Sequence, residues 1–500
     1  MTEPTTSQER NTFGRAANWS VAMSLGNQLT TTLAAFVIAA ILGPEAFGTV
    51  ALAILFLLFV QLFLEQGITT TIVQRKNLTA DHLNAAFWIV IATAAGLLIG
   101  TLLLAGWWAD VTNAPELEAV LRVMSPIIVI EALTVVQQAL LQRTLEFKQL
   151  ALRANVAAIV GGVVGVTAAF AGAGVWALVA QQLTTKLVAL VLLWVVGTWR
   201  PSFRFSRKAA AELYGFSSRV FLGKAGTFAQ SQFDSIVIGV AVGPIAVGLY
   251  RLALRVTRTI VNAFSKPVAL AALPAFSRAQ DDRALLDVRF REAVGRSAGV
   301  VIPLVVGAAA VSDLLFDVLG EEWSGAAAVL VAFAVLASAR SVNNLCGPML
   351  MATGRPGTVA ALSWSLSVIN VTSFLAVAWL VRAWGPADQA FAMAVARTAT
   401  FTVLYLPVTV SLALRASGTT LQGLLAEMLP PLASVPAIVV GARVAVMLLG
   451  SVLDDWLLLL AAVASGGIAG LAVLLPLSPL WREFVTRSLL LVRRPVSPIQ

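Results

Sequence analysis

Fourteen stretches long and apolar enough to cross a bilayer recur along this 500-residue chain, and little besides a bundle of membrane helices can be built from them. They run over about 17–42, 46–72, 84–108, 117–141, 155–171, 174–198, 214–240, 246–272, 294–316, 325–351, 357–381, 388–413, 426–449 and 456–476. Each crossing needs about 20 mostly apolar residues. Hydrophobic residues make up 59% of the chain and charged residues 12%, with a mean hydropathy of +0.87. A water-soluble surface of ordinary polarity cannot be assembled from that composition. The expected fold class is all-α, a polytopic membrane protein of about 14 transmembrane helices.

Basic residues set the orientation. With the N-terminus inside, 22 of the 34 Lys and Arg fall in cytoplasmic segments, among them Arg10 and Arg15, Arg75 and Lys76, and Arg200, Arg204, Arg207 and Lys208. Arg143, Lys148 and Arg153 are placed in one such loop, and Arg482, Arg487, Arg493 and Arg494 in the tail. Outer loops hold one, Arg382, and eleven lie within the spans. This bias predicts that both termini are cytoplasmic. The net charge of +9 does not point to nucleic acid, because it is spread between hydrophobic spans and not gathered on one soluble face. Anionic membrane lipids are the expected partner of those loops. No cleavable signal peptide is expected, since residues 1–16 are polar and the first apolar stretch is long enough to stay as an anchor. Cys346 is alone, so neither a disulfide nor a cysteine metal cluster is expected.

A motif repeats at an offset of 200 residues. Gly43-Pro44-Glu45-Ala46-Phe47-Gly48 returns as Gly243-Pro244-Ile245-Ala246-Val247-Gly248, Gly26 returns as Gly226, and Ile38 as Ile238. Each Gly-Pro pair sits at an outer helix junction, where proline can begin a helix without losing a needed hydrogen bond. The interval spans six helices, an even number, so both copies enter the membrane in the same direction. That predicts a lobe at 1–198, a basic cytoplasmic linker at 199–213, a second lobe at 214–413, and a C-terminal helix pair with tail at 414–500. A cavity between two such lobes is expected. The segment 275–293, rich in both signs of charge, is read as a surface helix.

The second copy differs from the first in one respect. Where the first runs through Ala51, Leu55, Leu58, Leu62 and Gln66, the second holds Arg251, Arg255, Arg258, Asn262 and Lys266. Steps of four, three, four and four stay on one narrow helix face. Arg251 and Lys266, about 8 Å and about 30 Å below the outer helix start, can snorkel to the two interfaces. Arg255 and Arg258 fall near the midplane, where an arginine costs at least about 2.5 kcal/mol. They are read as facing a hydrated cavity, with internal pairing as the alternative. An arginine fork suits a phosphate or diphosphate, so the row points to transport of an anion.

The residues also resemble a known family. Gln232-Phe233-Asp234-Ser235-Ile236-Val237-Ile238-Gly239, running on to Gly243, Gly248, Leu249 and Tyr250, resembles the start of the second half in bacterial polysaccharide flippases. Leu141-Gln142-Arg143-Thr144-Leu145-Glu146-Phe147 and Gly172-Ala173-Gly174-Val175-Trp176-Ala177-Leu178-Val179-Ala180-Gln181-Gln182 resemble the colanic-acid-exporter-like branch of the multidrug/oligosaccharidyl-lipid/polysaccharide exporter superfamily. The resemblance covers about residues 10–420. It implies a two-lobed, alternating-access flippase of the bacterial plasma (inner) membrane that moves polyprenyl-diphosphate-linked oligosaccharide repeat units. It also implies a polysaccharide polymerase and glycosyltransferases as partners.

Other intramembrane charges extend the candidate site. Lys224, Arg340 and Arg397 are expected to join Arg251, Arg255, Arg258, Asn262 and Lys266 in binding the anionic head group. Lys186, Arg219 and Arg443 are read as near helix ends. Of the acids Glu65, Glu131 and Asp234, the first and last are the gating or ion-coupling candidates, with a structural salt bridge as the plainer reading of Asp234. Asn27, Gln28, Thr30, Thr31 and Thr32 are candidates for sugar contact; Asn343, Asn344, Ser363, Ser365, Ser367 and Asn370 read as interhelical partners. His82, the only histidine, is read as a surface residue, and Trp107 and Trp108 as interface anchors.

No Gly-rich phosphate loop and no nucleophile with its base stand in the chain, so neither ATP hydrolysis nor catalysis is expected, and no cofactor or metal. The rival readings are a peptidoglycan lipid-precursor flippase, a multidrug antiporter of the same superfamily, and a membrane glycan polymerase or ligase. A cation exporter would carry an acidic cavity. A polymerase would carry acid–base residues on a long outer loop.

Overall fold

The computed structural model describes residues 6–478 other than 66 and 76, together with 481 and 482. Side chains are described from Gly26 onward, except at 65, 214–225, 227, 229 and 230. Expectations that rest on the side chains of Arg10, Arg15, Glu65, Arg219 and Lys224, or on Gln66, Lys76, Arg487, Arg493 and Arg494, lie outside the described residues.

The described residues form helices and connecting turns, with no strand among them. Among the described residues twelve helical segments are long and apolar enough to cross a membrane, against the fourteen expected. The difference has a simple origin. One of the twelve, Gly26–Leu64, runs through α1 (Thr6–Glu65), whose helical geometry breaks at Gly43, φ 76° and ψ 171°. Its 39 residues would reach about 58 Å if straight, nearly twice the hydrocarbon thickness. The other expected span lies in α8 (Arg207–Ala241), whose side chains at 214–225, 227, 229 and 230 lie outside the described residues.

Between these come α2 (Ile68–Gln74), α3 (Ala80–Val111), α4 (Glu116–Met124), α5 (Ile127–Arg143), α6 (Phe147–Phe170) and α7 (Val175–Val196). After α8 follow α9 (Pro244–Ala279), α10 (Arg283–Ala310), α11 (Ser312–Asp317), α12 (Gly325–Ala352) and α13 (Pro356–Leu380). The chain ends with α14 (Pro386–Ala399), α15 (Leu406–Ser417), α16 (Leu421–Leu449) and α17 (Asp455–Leu477). Local signals set several boundaries. Thr79 and His82 form a reciprocal capping box at the start of α3, and the Asp282 carboxylate accepts from the backbone N–H groups of Ala284 and Leu285 at the start of α10. Only three residues, 280–282, separate α9 from α10, so 275–293 is the joined ends of two long helices and not a separate surface helix.

Two compact units emerge, Met1–Arg251 with Ala378–Ala390, and Leu252–Val377 with Phe391–Gln500. In the first, α1 packs on α6 and α6 on α7, while α3 lies against α4, α5 and α8. The segment after α7 is fastened: Asn84 and Ser202 exchange two hydrogen bonds of 2.7 and 3.0 Å, and Trp88 Nε1 donates to the Ser202 carbonyl at 2.8 Å. In the second unit α10 packs against α12 and α16, and α16 against α17, so the C-terminal helix pair is part of that unit's core.

The repeated motif shows its physical purpose inside the first unit. Gly243, like Gly43, has a positive φ (103°), and Pro244 opens α9. The two copies pack on one another: a Cβ at Gly48 would overlap the Pro244 carbonyl, and one at Gly248 would overlap the Pro44 carbonyl. Ile38 and Ile238 are both fully buried. Equal sequence offsets thus become a reciprocal backbone contact that only glycine permits.

Candidate substrate-binding site

The row on α9 begins in the first unit with Arg251 and continues in the second with Arg255, Arg258, Asn262 and Lys266. The three arginines are half-buried, whereas Asn262 and Lys266 are exposed. No ion pair to Arg255 is found among the described residues. The helix holds this row because its other faces are apolar: Leu252, Ala253 and Leu254 are buried.

Within the second unit a polar seam anchors the lower part of α9. Ser297 Oγ lies 2.9 Å from Ser265 Oγ and 2.8 Å from the Ser341 carbonyl, and Asn344 Nδ2 donates to Ser265 Oγ at 3.0 Å. Thr409 donates to Asn343 Oδ1 at 2.8 Å and Thr400 to Asn370 Oδ1 at 3.0 Å. Asn343, Asn344 and Asn370 are therefore interhelical partners, as expected. Arg340 on α12 stacks over the Phe401 ring, 5.5 Å from its centroid. Phe401 belongs to a π-helical turn, Thr400–Tyr405, that interrupts the span between α14 and α15. Wider turns of this kind recur at functional sites. Arg397, three positions before that turn, is 3% exposed.

Asp234 on α8 is 6% exposed and accepts a 2.9 Å hydrogen bond from the Tyr250 hydroxyl at the start of α9. Tyr250 was absent from the expected site, although its place beside Arg251 hinted at it. In the first unit Asn27 Nδ2 donates to the Ala154 carbonyl at 2.8 Å, so that member of the α1 cluster also joins helices.

The first unit holds a further charged constellation that the sequence reading did not assemble. Lys186 on α7 pairs with Glu131 on α5 and lies mid-way along its helix, not at a helix end. Arg153 lies six residues inside α6, not in a loop, and its Nη2 donates to Gln138 Oε1 at 3.1 Å. The three charges line a cavity of about 240 Å³ with Gln61 and Gln138. Counting from Phe147, Arg143 and Val196, they lie about 9–18 Å below the same end of the unit.

At that end Glu212 binds both Arg75 and His82, the latter at 3.2 Å. His82 is 8% exposed, so it is a buried clasp and not a surface residue. Trp108 is likewise packed, against Phe56 with ring centroids 5.9 Å apart, while Trp107 is exposed. Hydrogen bonds from His82 and Arg75 hold the Glu212 carboxyl below the usual carboxylate range. A depressed folded value means the clasp stabilises fully above pH about 4.3 and is lost as pH falls through that lowered value. Glu212→Gln is expected to flatten the acid limb of the thermal midpoint against pH. An unchanged limb would show that the clasp contributes nothing.

A match to the polysaccharide biosynthesis protein family covers residues 37–328, more than half of the chain. The chain belongs to that family. Among relatives of this polysaccharide biosynthesis protein, the succinoglycan biosynthesis transport protein ExoT of Rhizobium meliloti (strain 1021) is 27% identical over 369 residues, 74% of each chain. The lipopolysaccharide biosynthesis protein WzxC of Escherichia coli (strain K12) is 24% identical over 322 residues, 64% of this chain and 65% of the relative. In fold, the family member is similar to the lipid II flippase MurJ in an inward closed conformation. That likeness has a TM-score of 0.70 at 14% identity and covers 94% of this chain and all of the other.

Proposed function

We propose that this membrane protein is a flippase that translocates a polyprenyl-diphosphate-linked oligosaccharide repeat unit across the bacterial inner membrane by alternating access. The carrying observation is the row Arg251, Arg255, Arg258, Asn262 and Lys266 on one face of α9, with its three arginines half-buried. A midplane guanidinium is costly in lipid and well matched to a diphosphate. Lys224, Arg340 and Arg397 extend the positive field, and Asp234 and Glu65 serve gating or ion coupling. Both termini are cytoplasmic. The polyprenyl tail stays in lipid while the head group crosses, so the role is transport and not catalysis. Glycosyltransferases act before it and a polysaccharide polymerase after it.

Reconstituted into proteoliposomes with a polyprenyl-diphosphate glycan, the wild-type protein should flip it. Arg255→Ala and Arg258→Ala should each slow flipping by about 10-fold or more, since a hydrogen bond to a charged group is worth about 1.5–3 kcal/mol. Normal flipping by both well-folded variants would return the row to internal pairing. Wild-type protein that flips none would remove this cargo.

A further inference from the structure

The cavity of the first unit lined by α1, α2, α5, α6 and α7 shares no lining residue with the α9 row and carries its own chemistry. At about 240 Å³ it is far larger than the about 10–15 Å³ one water needs. Among the described residues its wall bears two cations, Arg153 and Lys186, against one carboxylate, Glu131, a net positive charge. Glu131 occupies Lys186. Arg153 is less well served: Nη2 reaches Gln138, but Nε and Nη1 are shielded from water with no acceptor among the described residues. A guanidinium cannot shed its charge to escape that cost, and buried charged donors left unmet are expensive. Rotation of the Arg153 side chain towards an anion in the cavity relieves it, and the same anion can draw Lys186 away from Glu131. A cation would be repelled by both basic groups, and a neutral sugar would leave the excess charge uncompensated.

We propose that this pocket is an oxyanion site for a phosphate-class group, held by Arg153 and Lys186, with Glu131 occupying Lys186 while the site is empty. The assignment rests on residues of the first unit alone and does not depend on the α9 row. Glu131 acts as a positioning residue that competes with the ligand for Lys186, so its neutralisation strengthens binding whereas loss of Arg153 weakens it. A pair kept only for packing gives no such opposite signs.

The test titrates inorganic diphosphate into the full-length protein purified in detergent and carrying Arg251→Gln, Arg255→Gln, Arg258→Gln and Lys266→Gln, which removes the cations of the α9 row as a competing site. Calorimetry should show saturable binding near one ion per chain. Added Arg153→Gln should weaken it by at least about 10-fold, and Arg153→Lys by less, because the charge remains. Added Glu131→Gln should tighten it by about 3–10-fold, since a competing charge is removed from a partly shielded site. A second titrant, a short-chain polyprenyl phosphate in the same micelles, separates two sources of the ligand. Binding of both assigns the pocket to a lipid-borne phosphate; binding of diphosphate alone assigns it to a soluble one. Absence of saturable binding, equal affinity in Arg153→Gln, or no tightening in Glu131→Gln overturns the proposal. Any of these leaves the flippase reading to its own test, in which Arg153 is intact.

Discussion

Alanine at Gly48 or Gly248 is expected to lower the thermal midpoint of the purified protein more than any other single methyl-sized change in the first unit. A Cβ at either position meets backbone: the Pro244 carbonyl from Gly48 and the Pro44 carbonyl from Gly248, with the Gly248 nitrogen 3.1 Å from the Gly48 position. Backbone atoms cannot rotate away as a side chain can, so α1 and α9 must part. Overpacking of this kind costs about 1–3 kcal/mol and sometimes more. Because one added methyl already separates the helices, the second should cost less, and the double variant should lose less than the sum of the singles. Gly96→Ala and Gly100→Ala serve as controls, since nothing lies within 4 Å of either added Cβ. Alanine also suits a helix better than glycine. Midpoints for Gly48→Ala as high as those controls would mean the contact is looser than the structure has it.

Reversing the charge at Glu131 should have the second large effect. Glu131→Lys places three cations around one cavity, with Arg153 and Lys186 already there. Breaking a fully buried pair costs about 3–5 kcal/mol. The Lys186 side chain is 36% exposed and Glu131 19%, so solvent screens part of this and about 2 kcal/mol is expected. Adding Lys186→Glu restores the opposite signs and should recover most of the lost midpoint. Failure of the swap to rescue would show that Glu131 is held chiefly by something other than Lys186.

Much of the architecture was legible because membrane insertion is a local property. Each span announces itself by about 20 apolar residues, and the α9 row by helical spacing within 16 residues. The turns at Gly43 and Gly243 were legible for the same reason, since Gly-Pro restricts its own backbone. The errors share an opposite cause. Arg153 was read as a loop residue because a charge near a helix end ordinarily marks the boundary. It lies inside α6, where Gln138 on α5 meets it. His82 was read as exposed because its partner Glu212 is 130 residues away. Lys186 and Glu131 stand 55 residues apart, and no spacing rule links them.

The sequence by itself determined that this chain spans a membrane as helices, that a Gly-Pro motif recurs at an offset of 200 residues, and that the second copy is followed by a cationic helix face. Those follow from hydropathy, charge and periodicity, which act over a few helical turns. Only the tertiary structure decided that the repeated glycines touch, that Tyr250 holds Asp234, and that Arg153, Lys186 and Glu131 share a cavity. Pairing of charges and close approach of backbones depend on distances between helices, and a linear pattern contains no such distances until the helices pack.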